Sequence, residues 1–314
     1  MSEEGPDTTE WKVKSRKRPG RRPGNSGHAA HEVQALQVEY CDEPLDPAAA
    51  ARTAARVRER AVSLRGSSFL TAACTAATEV FQAGALLSCS SSEGLRRGSG
   101  GKESLEGASC SGGSSGVRLL CLGIGSPEAS ASSVWQLALA WLLAEDLGIS
   151  DRTWADPQMR RSDAAAGEQL GFRAVEPELL PDGSSASSDG RPLLLFMPHC
   201  DRALYEMVLA ANCSAHAGGR CGSLEGATSC QLGDVVILGN SFQVYAQRDE
   251  LGVVPSGTPG AARTDSLLRR LLPALREQLL PIFQPCPEAF NDLAVISFPA
   301  AELARWHESQ FSGH

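Results

Sequence analysis

Four short strings in this chain carry residue types that can do chemistry, and each follows a run that reads as a strand: Gly123-Ile124-Gly125, Asp156-Pro157, Pro198-His199-Cys200 and Gly239-Asn240-Ser241. A G-x-G turn lets the backbone approach a ligand closely, and a helix N-terminus behind it favours an anion, as in nucleotide-binding sheets. The third glycine of a dinucleotide site is missing, with Glu128 in its place. The interval to Asp156 also matches the ribose-binding carboxylate of S-adenosylmethionine-type sheets, which leaves an enzyme of methyltransferase-like architecture open. A tight turn in a ligand-free scaffold accounts for the same glycines.

Imidazole titrates near neutral pH, so His199 is a candidate base, metal ligand or hydrogen-bond switch, and Cys200 beside it adds a soft ligand. A loop-bridging histidine at a strand end is the alternative. Asn240 and Ser241 suit either ligand contact or helix capping. A zinc site from Cys213, His216, Cys221 and Cys230 lacks the paired C-x-x-C hairpins that define such sites. Cys286-Pro287 is a dipeptide of the kind found in haem-responsive segments, where a thiolate serves as axial ligand. Set between Pro285 and Pro287, Cys286 is expected in an accessible loop, and a plain structural turn is the other use of that dipeptide. There is no G-x-S-x-G elbow, Walker loop or H-E-x-x-H, so hydrolase and NTPase readings find no support.

The elements that must position these strings follow from periodicity. Short apolar runs alternating with helical stretches from Val117 onward predict an α/β domain with a Rossmann-like, mostly parallel sheet and flanking helices. Strands are expected at Val117–Leu122, Arg152–Ala155, Gly171–Val175, Pro192–Met197 and Asp234–Leu238, and helices at Ser132–Glu145, Asp163–Leu170 and Arg202–Ala211. In such a sheet ligands bind in the crevice beyond the carboxyl ends of the strands, so Gly123, Asp156, His199 and Asn240 should surround one crevice. The tail reads as a helix from Arg263 to Phe283, interrupted by Pro273 and Pro281, that covers the sheet, with Leu293–Phe298 as an edge strand.

Before this domain, Asp46-Pro47 looks like an N-cap with proline at the first helical position, opening a helix to about Arg65, and a second helix follows from Ser68 to Leu87. Residues 88–116 form a Gly/Ser-rich linker expected to be disordered, and His216 to Gly233 a Gly-rich surface loop. Residues 1–45 are expected to form a disordered basic arm, because from Glu10 to Gly27 the sequence is basic, Gly/Pro-rich and nearly free of aliphatic residues. Lys12, Lys14, Arg16, Lys17, Arg18, Arg21 and Arg22 supply seven positive charges with no acid between them, which leaves −15 on the rest of a chain whose net charge is −8. The arm suits nuclear localisation, polyanion binding or solubilisation. The acidic body does not suit nucleic acid, so any such contact belongs to Lys12 to Arg22.

The 314 residues exceed what one core usually needs, and the 10 cysteines include no C-x-x-C pair. No apolar h-region opens the chain and no uncharged apolar run approaches the ~20 residues that cross a bilayer, so a cytoplasmic and also nuclear protein with no membrane contact is expected.

The order of motifs then becomes recognisable: Gly123-Ile124-Gly125, Gln136-Leu137-Ala138, Asp156-Pro157, Met197-Pro198-His199-Cys200, Leu204-Tyr205, Asn212, and Gly239-Asn240-Ser241-Phe242 with Tyr245. This resembles the sensitivity-to-red-light-reduced family in its vertebrate form, from about Val117 to Tyr245, with weaker similarity at Asn291-Asp292 and Phe298-Pro299. The chain departs from the pattern at Ala155, where an aromatic commonly precedes Asp-Pro. The resemblance implies a regulator of circadian-clock gene expression and haem biosynthesis, with no established catalytic activity. Protein partners are expected, together with a small-molecule ligand in the crevice, nucleotide-like on the G-x-G and Asp156 or haem on the family's role and the placement of His199 and Cys286 as candidate ligands.

Overall fold

In the computed structural model, residues 45–92, 116–175, 191–213, 231–251 and 266–311 are described. The basic arm, most of the Gly/Ser linker and most of the Gly-rich loop lie outside this set, as do His216, Cys221 and Cys230.

Asp46 opens helix α1 (Pro47–Leu64) by accepting a hydrogen bond from the Ala48 amide at 2.8 Å. The buried stripe of α1 is mostly alanine, with Val57 and Leu64, which lets its backbone lie close against neighbouring helices. Helix α2 (Ser68–Ser92) runs further than the sequence predicts. Both helices share one core with the sheet, because Val57, Leu64 and Phe69 are buried together with Leu119, Phe196 and Leu238.

The sheet has seven strands: β1 (Arg118–Leu122), β2 (Asp151–Ala155), β3 (Arg173–Val175), β4 (Leu193–Met197), β5 (Val235–Asn240), β6 (Arg276–Leu279) and β7 (Leu293–Ser297). Their order is β3-β2-β1-β4-β5-β7-β6. Strands β1 to β5 are parallel, and β7 is antiparallel to both of its neighbours. This is the mostly parallel α/β sheet with flanking helices that the alternating pattern predicts.

Strands β4 and β5 feed both faces: Leu194, Phe196, Val236 and Leu238 enter one core, and Leu193, Leu195, Val235 and Ile237 the other. That two-sided burial is why they read as unbroken apolar runs. Helix α3 (Ala131–Asp146) is buried on almost every side, since α1 packs over it, and its one buried amide, Gln136, donates to the Ala289 carbonyl at 3.1 Å. Helix α4 (Arg161–Glu168) contacts α1 and β3. Helices α5 (Arg202–Cys213), α6 (Phe242–Glu250) and α7 (Leu267–Leu271) follow in the second half.

The C-terminal region differs from the sequence reading. Pro273 ends the helix after α7, and Arg276 to Leu279 extend into strand β6. Proline removes an amide and clashes with the preceding turn, and pairing with β7 then overrides the helix propensity of Arg-Glu-Gln-Leu. Strand β7 is therefore interior, and β6 forms the edge. A final helix, α8 (Ala300–Phe311), which the sequence reading does not include, seats Leu303 and Trp306 in the core, and the Trp306 indole donates to the Arg270 carbonyl at 2.8 Å. Among the described residues no helix is long and apolar enough to cross a membrane.

Candidate functional site

The strand-end strings gather along one edge of the sheet in two clusters. At β1 and β2, Gly123 and Gly125 adopt φ of 70° and 78°, a region that favours glycine. The Asp156 carboxylate lies beneath this turn: Oδ2 accepts from the Gly125 amide and Oδ1 from the Gln158 amide, each at 2.7 Å. Asp156 is buried, and burial raises its pKa above the ordinary 3.8 despite the two amides that pull it down. Beside it, buried Asp163 accepts from the Glu128 amide at 2.8 Å and from the Arg160 amide at 3.1 Å. Glu128, standing where a dinucleotide loop has glycine, accepts from the Ser162 hydroxyl. These amides are thus taken by the chain's own carboxylates.

At β4 and β5, His199 has φ of 55° and its amide donates to Asn240 Oδ1 at 3.0 Å. Asn240 Nδ2 reaches the Tyr245 hydroxyl at 2.9 Å and the Cys200 carbonyl at 3.4 Å, while Tyr245 donates to that same carbonyl at 3.0 Å. The Tyr205 hydroxyl donates to the Met197 carbonyl and accepts from the Asn240 amide at 2.7 Å. Burial holds the Tyr205 phenol well above its usual range, so it stays neutral. Gly239 lies against this ring: a Cβ there would collide with the Tyr205 hydroxyl and sit 3.1 Å from the Met197 carbonyl oxygen.

Ser241 caps α6 by accepting from the Val244 amide at 3.0 Å, and it donates to Glu277, which itself accepts from the Phe242 amide at 2.9 Å. Cys200 is buried, donates its thiol to the Leu122 carbonyl at 3.4 Å, and is pushed up to about 12 by burial. Its sulfur faces the Leu122 carbonyl inside the core, and the thiol of the free protein keeps its proton at neutral pH. A Cβ on Gly123 would strike the Cys200 sulfur, and this contact joins the two clusters.

A polar cleft of about 230 Å³ opens beside the second cluster. His199, Asn240, Ser241 and Tyr245 line it together with Arg248 and the Asn291-Asp292 turn, whereas Gly123, Gly125 and Asp156 do not. Of the four strings expected around one crevice, this cleft takes in the two that follow β4 and β5. The sequence reading does not include Arg248 and Asn291 among the site residues. The Asn291-Asp292 similarity was the only sequence signal, and nothing local marks Arg248.

The groups available do not fit haem. Cys286 is buried in the core with Phe283 and Phe290 rather than in an accessible loop, and burial pushes its thiol up to about 11. Aromatic packing, not the flanking prolines, decides that placement. His199 is exposed, but its cleft is below the ~300–1,000 Å³ of typical sites for drug-sized ligands and is too small to enclose a porphyrin. Among the described residues no cluster of three His, Cys, Asp or Glu side chains could hold a metal ion.

No solved structure matches the chain. It is similar to the mouse "SRR1-like protein", at 28% identity over 134 residues that cover 42% of this chain and 47% of that one. It is also similar to the Arabidopsis "Protein SENSITIVITY TO RED LIGHT REDUCED 1", at 27% identity over 135 residues and 42% of each chain. The chain thus spans less than half the length of these curated relatives. The SRR1 domain matches residues 102–297, more than half of the sequence and all seven strands, so the chain belongs to the SRR1 family.

Proposed function

We propose that this chain is a regulatory protein, a non-catalytic binding module that controls circadian-clock gene expression and haem biosynthesis. Membership of the SRR1 family and the light response in the name of the Arabidopsis relative support a regulatory role. The observation that carries the non-catalytic part is the Asp156 clamp. In a nucleotide-dependent enzyme the G-x-G amide and the second-strand carboxylate face the ligand, whereas here they are spent on each other at 2.7 Å. The haem connection then runs through protein partners rather than through iron ligation. The basic arm from Lys12 to Arg22 gives a cytoplasmic protein access to the nucleus. Removing the chain from cells that express it should change both the period of a clock-gene reporter and total haem, with both restored by the wild-type sequence. Unchanged rhythm and unchanged haem would refute the proposal.

The strand order supports a second reading. An antiparallel β7 placed between β5 and β6 is the arrangement of the S-adenosylmethionine-dependent methyltransferase sheet, a likeness of fold alone. Calorimetry with S-adenosylmethionine and its demethylated product separates the two. Heat of binding that disappears in Asp156→Ala favours the enzyme, and its absence well above micromolar concentrations favours the binding module.

A further inference from the structure

Among the described residues only two that are not glycine have a positive φ, His199 and Asp292, both at 55°, and both line the same cleft. They come from separate loops, one after β4 and the other before β7. L-residues avoid this conformation, and such residues gather where a fold must hold a side chain in one place for binding. Here the hold is visible: the Asn240 carboxamide fixes the His199 amide, and the Asp292 carbonyl accepts from the Ser241 amide at 2.8 Å.

The floor of the cleft has little left to offer a ligand. Asn240 and Tyr245 are spent on the β4–α5 loop, and Ser241 is spent between Val244 and Glu277. Donors remain on the rim. Arg248 uses Nη2 on Asp292 at 2.6 Å, which leaves Nε and Nη1 of a fork with five N–H groups, oriented by that ion pair. The His199 imidazole and the Asn291 carboxamide add two more groups. Asp292 is the only acid lining the cleft, and it is already paired.

We infer that this cleft binds a small organic oxyanion, a carboxylate or phosphate held by the free side of the Arg248 guanidinium with His199 and Asn291. The volume suits a compact metabolite. The inference rests on the binding-module reading and supplies its ligand class.

The test uses the full chain, titrated by calorimetry at constant ionic strength with succinate, with inorganic phosphate, and with succinamide as the neutral isostere. One or both oxyanions should bind with a Kd of roughly millimolar or tighter, and succinamide should not. Arg248→Gln should weaken binding at least about tenfold, Arg248→Lys should retain part of it because the charge survives without the fork, and His199→Ala should weaken it several-fold. Binding of succinate alone assigns a carboxylate, and of phosphate alone a phosphate. No heat with either oxyanion, equal binding of succinamide, or an affinity that Arg248→Gln leaves unchanged while its circular dichroism matches wild type would overturn the inference. A clock and haem phenotype alongside any of those results removes the ligand class and leaves the regulatory reading standing. Oxyanion binding without a phenotype does the reverse.

Discussion

The contact between Gly239 and Tyr205 can be tested as a double-mutant cycle. Gly239→Ala places a Cβ onto the Tyr205 hydroxyl, 3.2 Å from the ring carbon Cε1 and 3.1 Å from the Met197 carbonyl oxygen. The ring is fully buried and cannot retreat, so overpacking should cost about 2–3 kcal/mol. Tyr205→Phe removes the overlapping atom but strands the Met197 carbonyl and the Asn240 amide, at about 1–3 kcal/mol for each group left unpaired. In the Tyr205→Phe background the methyl enters the volume the hydroxyl vacated, and only the contacts with Cε1 and Met197 still press. Gly239→Ala should then cost about 1 kcal/mol or less, a favourable coupling of roughly 1–2 kcal/mol. Urea unfolding of the four proteins, read as midpoint and m-value, measures it. Additivity within about 0.5 kcal/mol would show that the glycine is not there to make room for the hydroxyl, and the steric argument would fail.

Asp156→Asn leaves one of two amides facing an NH2 group and should cost about 1–3 kcal/mol by urea unfolding. Because burial raises the native pKa, the carboxyl's contribution is fully present below its ordinary 3.8 and is lost as pH rises through the native value; the gap between wild type and variant should be widest below pH 3.8, and a gap that grows toward neutral pH would contradict this. His199→Gly relieves a left-handed backbone and should raise stability by roughly 0.5–1 kcal/mol after the extra freedom of the unfolded chain is subtracted, with a fall in the urea midpoint as the contrary result. Cys286 should resist iodoacetamide at pH 7.5 in the folded protein, and Cys286→Ala should leave the Soret band of a haemin titration unchanged; rapid labelling by peptide mass spectrometry would show that the thiol is not buried.

Six of the seven strands were legible, most plainly Leu193 to Met197 and Val235 to Leu238, where burial on both faces writes an unbroken apolar run. Asp46-Pro47 was legible because capping is local chemistry. Strand β6 was not. Arg276-Glu277-Gln278-Leu279 favours a helix by propensity, and the β7 partner that overrides it lies across a turn marked only by Pro281, Pro285 and Pro287. The same limit applies to the site. Periodicity placed Gly125, Asp156, His199 and Asn240 at strand ends, yet it does not say that Asp156 would be consumed by an amide 31 positions away. Nor does it say that Arg248 and Asn291 would meet His199.

That consumption follows a pattern. Asp156 takes the Gly125 amide, Asp163 the Glu128 amide, Glu277 the Phe242 and Gln243 amides at the start of α6, and Glu206 the Leu267 and Leu268 amides at the start of α7. Free amides at turns and helix starts are what an α/β sheet offers to phosphates. Each of these is met by an internal carboxylate, so a nucleotide would have to displace a bonded anion and leave it buried beside its own charge, a loss of a kind that few contacts offset. The guanidinium of Arg248 is different, since its anion, Asp292, comes from an exposed turn and occupies one nitrogen of the fork. An exposed ion pair is worth about 1 kcal/mol or less, so sharing that fork with an incoming anion costs little. An incoming anion is therefore met most cheaply at the β5 end of the sheet, where the left-handed His199 and Asp292 also lie.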